Sequence, residues 1–161
     1  MVKQKIYLET SIFSFYYEAR EYGEYSQYKA QVREVFEKIK TGIFEPFTSI
    51  FVINEIAKER NQEKLLKMQE LINEYNISFL EVTDEVDRLA GLYIQEGAVS
   101  PAWETDAIHI AMATVNGLDF IMSLNFTHIV RTWTIERVQR VNKREGYQGI
   151  GIYKPVEVLE L

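Results

Sequence analysis

The chain predicts an α/β fold, a three-layer α/β/α sandwich around a parallel sheet of about five strands. Three observations predict it. Short apolar runs alternate with segments of helical periodicity along the whole length, which implies βαβ units. Crossovers between parallel strands are right-handed, so the helices must cover both faces. The 161 residues hold 47% apolar and 26% charged side chains, with three prolines, no repeat and no linker, so residues 1–161 read as a single domain with one core.

The elements follow in order. Lys5 to Leu8 reads as a short strand ending at Glu9, after which the Thr10 and Ser11 hydroxyls are placed to cap a helix. Ser26 to Lys40 carries Val32, Val35, Phe36 and Ile39 at helical spacing, and Thr41-Gly42 stops it. Phe44 to Thr48 is the second strand; Ile50, Ile53, Ile56 and Ala57 then form a helical stripe. Leu65, Met68, Leu71 and Ile72 mark another helix ending near Asn76, and Ile77 to Val82 is the third strand. Asp84 is placed to cap a helix carrying Val86, Leu89, Ala90 and Tyr93 that ends near Gly97. Ser100-Pro101 signals a helix start. From Ala107 to Val115 nearly every residue is apolar or small, the pattern of a central helix packed on several sides, and Asn116-Gly117 ends it. Phe120 to Leu124 is a fourth strand, Thr132 to Arg144 an amphipathic helix and Ile150 to Tyr153 a last strand.

Composition removes several classes of function. There is no cysteine, so neither a disulfide framework nor a thiolate metal site is open to the chain. His109 and His128 are the only imidazoles, which excludes a His-rich metal centre. No apolar stretch is long enough to cross a bilayer and no signal-like segment follows the first lysines, so no membrane association and a cytoplasmic location are expected. A net charge of −6 argues against a broad basic surface, so a nucleic-acid partner would have to be held by a local patch or by metal ions.

In such a sheet the C-terminal ends of the strands and the N-terminal ends of the helices share one edge, and ligands bind there, near the point where strand order reverses. Glu9, Glu55, Glu104, Asp106 and Asn125 all fall on that edge, whereas Asp119 precedes its strand and belongs to the opposite one. Several oxygen ligands without cysteine suit a hard divalent cation, Mg²⁺ or Mn²⁺, which can activate water for phosphodiester hydrolysis. A cation also relieves the repulsion between converging carboxylates. Each acid taken alone has an ordinary alternative. The helix macrodipole favours Glu104 or Asp106 by ~0.3–1 kcal/mol, Glu55 suits a solvated face, and Asn125 suits a turn. Glu9 differs, because a carboxylate directly after a buried strand is costly without a partner.

At this point the sequence resembles the PIN domain family and, within it, the VapC-like toxin ribonucleases. Ile6-Tyr7-Leu8-Glu9-Thr10-Ser11 matches the opening strand-acid-Thr-Ser motif, and Asn54-Glu55-Ile56 the second acid on its helix. Thr105-Asp106-Ala107-Ile108-His109-Ile110-Ala111 resembles the D-A-x-H-x-A stretch. The segment from Asp119 to Ile129 resembles the strand and turn that end the site, and Gly146-Tyr147 with Lys154-Pro155-Val156-Glu157 resembles one subgroup's tail. No single motif is specific; four in order over nearly the whole chain are considerably more so. The resemblance implies strand order 3-2-1-4-5, an Mg²⁺- or Mn²⁺-dependent endoribonuclease acting on RNA, a cognate antitoxin protein as partner and a homodimer. It places Glu9, Glu55, Asp106 and Asn125 as catalytic residues and Glu9, Asp106, Glu55 and Glu104 around the metal. By their own chemistry Thr10, Ser11, His128 and Arg131 are the candidates for substrate binding, with buttressing of the turn the favoured alternative for His128.

The family usually has Asp where this chain has Glu9 and often has Asp where it has Asn125. The first change moves the carboxylate outward and the second removes a charge, which opens an alternative: a catalytically weakened module that binds RNA or a protein without cleavage. His109 is expected to pack and hydrogen-bond. Arg131, Arg137, Arg140, Lys143 and Arg144 form the clearest basic cluster, either for RNA phosphates or as a solvated helix face. Phe13, Phe15, Tyr16, Tyr17, Tyr22, Tyr25 and Tyr28 read as a partner surface, with core packing as the alternative for the two phenylalanines. Receiver domains, haloacid-dehalogenase-like phosphatases and Walker or dinucleotide folds lack their acid pairs or glycine patterns here.

Overall fold

The computed structural model describes residues 2–161. The elements are β1 (Gln4–Leu8), α1 (Thr10–Tyr16), α2 (Gly23–Lys40), β2 (Phe44–Thr48), α3 (Ile50–Ile56), α4 (Gln62–Glu74) and β3 (Ser78–Phe79). There follow α5 (Asp84–Gln95), a 3-10 turn at Pro101–Trp103, α6 (Glu104–Val115), β4 (Phe120–Met122), α7 (Thr132–Arg144), β5 (Gly151–Tyr153) and α8 (Pro155–Leu159). The five strands are all parallel and lie in the order β3-β2-β1-β4-β5. β1 is central: Tyr7 pairs with Phe47 on one side and Ile121 on the other. Strand order reverses at the pair β1–β4, with β2 and β3 added on one side and β4 and β5 on the other, which makes their C-terminal ends the switch point of the sheet.

Burial explains the strand sequences. Ile6, Tyr7 and Leu8 are fully buried in succession, because helices cover both faces of the central strand. α1 packs against α2, α3 and α4, whereas α5 packs against α6 and α7. α6 is buried from Asp106 to Thr114, as its lack of a polar face predicts. Gly42 and Gly117 follow their helices at φ of 84° and 68°, the left-handed conformation that ends a helix without a Cβ penalty.

Several expectations are corrected. The third strand is Ser78–Phe79, not Ile77 to Val82, because β3 is an edge with one neighbour and both its residues are exposed. The fourth strand ends at Met122. Thr10 and Ser11 do not cap α1: Glu9 occupies the N-cap, and both hydroxyls are drawn to carboxylates. Thr83, not Asp84, caps α5 by accepting from the Val86 N–H. α2 begins at Gly23, three residues before Ser26. In α3 the buried positions are Val52 and Ile56 while Ile50 is exposed, and Glu55 falls in the last turn of that short helix. α8 was not expected. No helix among the described residues is long and apolar enough to cross a membrane.

Candidate active site

Glu9 leaves β1 at the switch point and is 4% exposed. Its Oε1 accepts from Ser11 Oγ at 2.5 Å and from Ser123 Oγ at 2.6 Å. Each serine is itself fixed by a backbone N–H: Leu124 N donates to Ser11 Oγ at 2.8 Å, and Asn125 N donates to Ser123 Oγ at 2.9 Å. The turn after β4 therefore clamps the acid that follows β1. Two O–H donors stand in for the solvation that burial removes.

Glu55 enters from the other side of β1. Its Oε1 accepts from Thr10 Oγ1 at 2.8 Å and from His109 Nε2 at 2.5 Å. Burial acts most strongly on this carboxyl and raises its pKa. The bond and charge of His109, with the Thr10 bond and Lys58, outweigh burial and hold it below the usual range. His109 is fully buried, and its Nδ1 lies 2.6 Å from the Tyr7 hydroxyl, which lies 2.7 Å from Ser49 Oγ. Burial drives the Tyr7 pKa far upward, so the phenol keeps its proton. An ionised Glu55 only accepts, so Nε2 carries a proton. The chain Ser49–Tyr7–His109–Glu55 is thus a buried strut that fixes one carboxylate oxygen. It also explains why Ser49, the N-cap of α3, makes no side-chain cap bond.

Asp106 sits in the first turn of α6 and is 8% exposed. Burial first, then the negative charge of Glu9, push its pKa up to about 6; His109 and His128 oppose the rise and Glu55 adds to it. The three acids therefore feel one another. Asn125 Nδ2 donates to Asp106 Oδ1 at 3.4 Å, and Asn125 Oδ1 accepts from His128 N at 3.1 Å, so Asn125 both forms the turn and steadies the acid.

The remaining expected residues divide. Thr10 and Ser11 belong to the cluster through the acids they hold. His128 stacks on Trp103, with ring centroids 4.2 Å apart. Arg131 is half-buried and donates from Nε to Thr134 Oγ1 at 2.7 Å. Glu104 is exposed and makes no side-chain hydrogen bond to the other acids among the described residues. In the basic cluster, Arg137 lies over the Trp133 ring at 3.2 Å and Arg144 pairs with Glu96 and Glu145, while Arg140 and Lys143 are exposed. α7 thus spends much of its charge within the fold. The aromatic stretch is also largely internal. Phe13 is buried, Tyr16 and Tyr17 pack on the core, Tyr28 lies against Phe15, and Arg20 covers Tyr25; Tyr22 is the ring left most exposed.

Each of Glu9, Glu55 and Asp106 keeps one carboxylate oxygen outside these hydrogen bonds. Among the described residues no group of three or more His, Asp or Glu side chains stands at metal-holding distances. The donor set is nevertheless of the right chemistry: hard oxygens, three formal negative charges in part buried together, and one carboxyl whose pKa is raised by burial first and by the charge of Glu9 next. That is the local charge excess a divalent cation neutralises.

Tyr7, Ser49 and Ser123 were not singled out in the sequence. Ser123 meets Glu9 across 114 positions.

No family model and no curated protein matches the sequence. Among solved structures, a chain in the crystal structure of VapBC2 from Rickettsia felis, bound to a DNA fragment from their promoter, is similar to this one. The TM-score is 0.55 at 10% sequence identity, over 94% of this chain and 98% of that one. At that identity the likeness is one of fold: an α/β architecture with a five-stranded parallel sheet in the order 3-2-1-4-5.

Proposed function

We propose that this protein is a metal-dependent ribonuclease, the toxin of a toxin–antitoxin pair. The observation that carries the chemistry is that Glu9, Glu55 and Asp106 come to the switch point of the sheet with one uncommitted oxygen each, where burial first and the charge of Glu9 next raise Asp106. Those oxygens would hold Mg²⁺ or Mn²⁺. When bound, such an ion activates water and offsets charge developing on a phosphodiester. The chain's own residues do the rest. Ser11 and Ser123 hold Glu9, the Tyr7–His109 strut and Thr10 hold Glu55, and Asn125 steadies Asp106. Preorganised ligands of this kind need little rearrangement when substrate arrives.

The fold likeness to VapBC2 supports the toxin reading and an antitoxin partner, and a homodimer belongs to the same proposal. The test is RNA cleavage by purified protein with Mg²⁺ or Mn²⁺. Wild type is expected to cut and Asp106→Asn to lose at least ~100-fold of the rate, as loss of an electrostatic group in a site does. Expression of wild type, and not of Asp106→Asn, is expected to arrest growth. A second reading rests on Asn125, a neutral residue whose side-chain oxygen is already engaged by His128 N. It describes a module that retains RNA without cutting it. RNA bound in a mobility shift yet intact with either metal would favour that reading.

A further inference from the structure

Trp103 is 49% exposed and ends the 3-10 turn, where it is the N-cap of the helix whose first turn carries Asp106. One face of its indole stacks on His128, with centroids 4.2 Å apart and planes 24° from parallel. His128 N donates to Asn125 Oδ1 at 3.1 Å and Asn125 Nδ2 donates to Asp106 Oδ1 at 3.4 Å, so the stacked pair lies beside the acidic cluster. On the chain next to Asn125, Phe126 is 38% exposed and rests on Tyr28 at 5.5 Å. The other half-exposed indole differs: Trp133 has Arg137 over its ring at 3.2 Å, and its N–H is committed to Gly97 O at 2.8 Å.

We propose that Trp103, backed by His128, is a stacking subsite for an unpaired nucleobase next to the nucleotide whose phosphodiester faces Asp106, with Phe126 as a second ring for a neighbouring base. The inference rests on the ribonuclease reading and narrows it to substrates with an unpaired base at the cleavage position. Charge favours it. The chain carries −6, and Arg137 and Arg144 are occupied within the fold. Counterion release from backbone phosphates is therefore a weak source of affinity, whereas stacking depends little on net charge and accepts any base. A base in a duplex already has both faces covered and cannot use the subsite.

Trp133→Phe leaves Trp103 as the sole tryptophan and serves as the background for a titration without divalent ion, so that RNA stays intact. A short single-stranded RNA is expected to quench Trp103 emission saturably, and the same sequence as a full duplex is not. Trp103→Leu is expected to weaken binding of labelled single-stranded RNA, followed by anisotropy, about five-fold or more, while Trp103→Phe keeps most of it. Unchanged circular dichroism checks both folds. RNA that binds without changing Trp103 emission, and binds Trp103→Leu as tightly as wild type, would overturn the subsite and leave the nuclease reading standing. Emission that answers to a purified partner protein and not to RNA would also overturn it. Wild type that neither binds nor cuts any RNA would remove both.

Discussion

Glu9 and Asp106 are both nearly buried acids on one edge of a sheet, yet their surroundings treat them differently. Glu9 receives two serine protons, whereas Asp106 receives one long amide bond and the field of two other carboxylates. The sign of the pH effect follows. Folded Asp106 holds its proton up to about pH 6, against an ordinary value of 3.8 when unfolded. Between those values folding takes up a proton, so this group's contribution to stability falls as pH rises through the window, and the full penalty stands above it. The interval corresponds to up to about 3 kcal/mol. Asp106→Asn is therefore expected to stabilise the metal-free protein at pH 7 in urea unfolding, with little effect near pH 4, while removing Mn²⁺ affinity. Mn²⁺ binding to wild type should release more protons near pH 6 than near pH 8 in calorimetry run in buffers of different ionisation enthalpy. At this scale the sequence was partly legible. An acid directly after a strand, or in the first turn of a central helix, announces itself locally. The partners of these acids do not. Ser123 looks like any small residue at a strand end until the sheet places it against Glu9, 114 positions away.

Helices and strands decide how firmly those side chains are held. β1 gives Tyr7, α6 gives His109, and α3 gives Glu55 with Ser49 at its N-cap, so the strut ties three elements together. His109→Gln, which keeps a donor at a shorter reach, is expected to lower Mn²⁺ affinity by about 10–100-fold, the usual cost of losing an outer-shell partner. Tyr7→Phe leaves the buried His109 Nδ1 without its partner and is expected to cost about 1–3 kcal/mol in urea unfolding. A second buried network involves the end of α6, where Tyr93 OH donates to Asn142 Oδ1 at 2.5 Å and its oxygen lies 3.2 Å from Thr114 Oγ1. Tyr93→Phe should cost a similar ~1–3 kcal/mol yet leave Mn²⁺ binding unchanged, which separates structural from site networks. Apolar periodicity found the helices around α2, α4 and α7 because each has one dry face. It overextended β3, where Phe79 and Val82 are apolar yet exposed, and it missed α8, five residues too short to show a period. The Thr10 and Ser11 hydroxyls were assigned to capping because sequence shows a cap position but not a competing carboxylate.

Across the whole molecule, the parallel order 3-2-1-4-5 is what converts scattered acids into neighbours, since it sets the ends of β1 and β4 side by side and brings the starts of α1 and α6 to the same edge. Alternation of strands and helices made the layers legible, and the acids' positions relative to those strands made the edge legible. Distances between side chains were not, because they depend on register and rotamers that no local pattern encodes. Glu104 illustrates this: two residues before Asp106 on the same helix, it points to solvent. The claim on which the rest depends is that Glu9, Glu55 and Asp106 share one divalent cation. Anomalous diffraction at the manganese edge from crystals soaked in Mn²⁺ tests it most directly. The expected result is one strong peak in contact with the Asp106 carboxylate, with Glu9 and Glu55 reaching it directly or through a bound water. A map with no peak there at saturating Mn²⁺, and the three carboxylates turned away from one another, would contradict it.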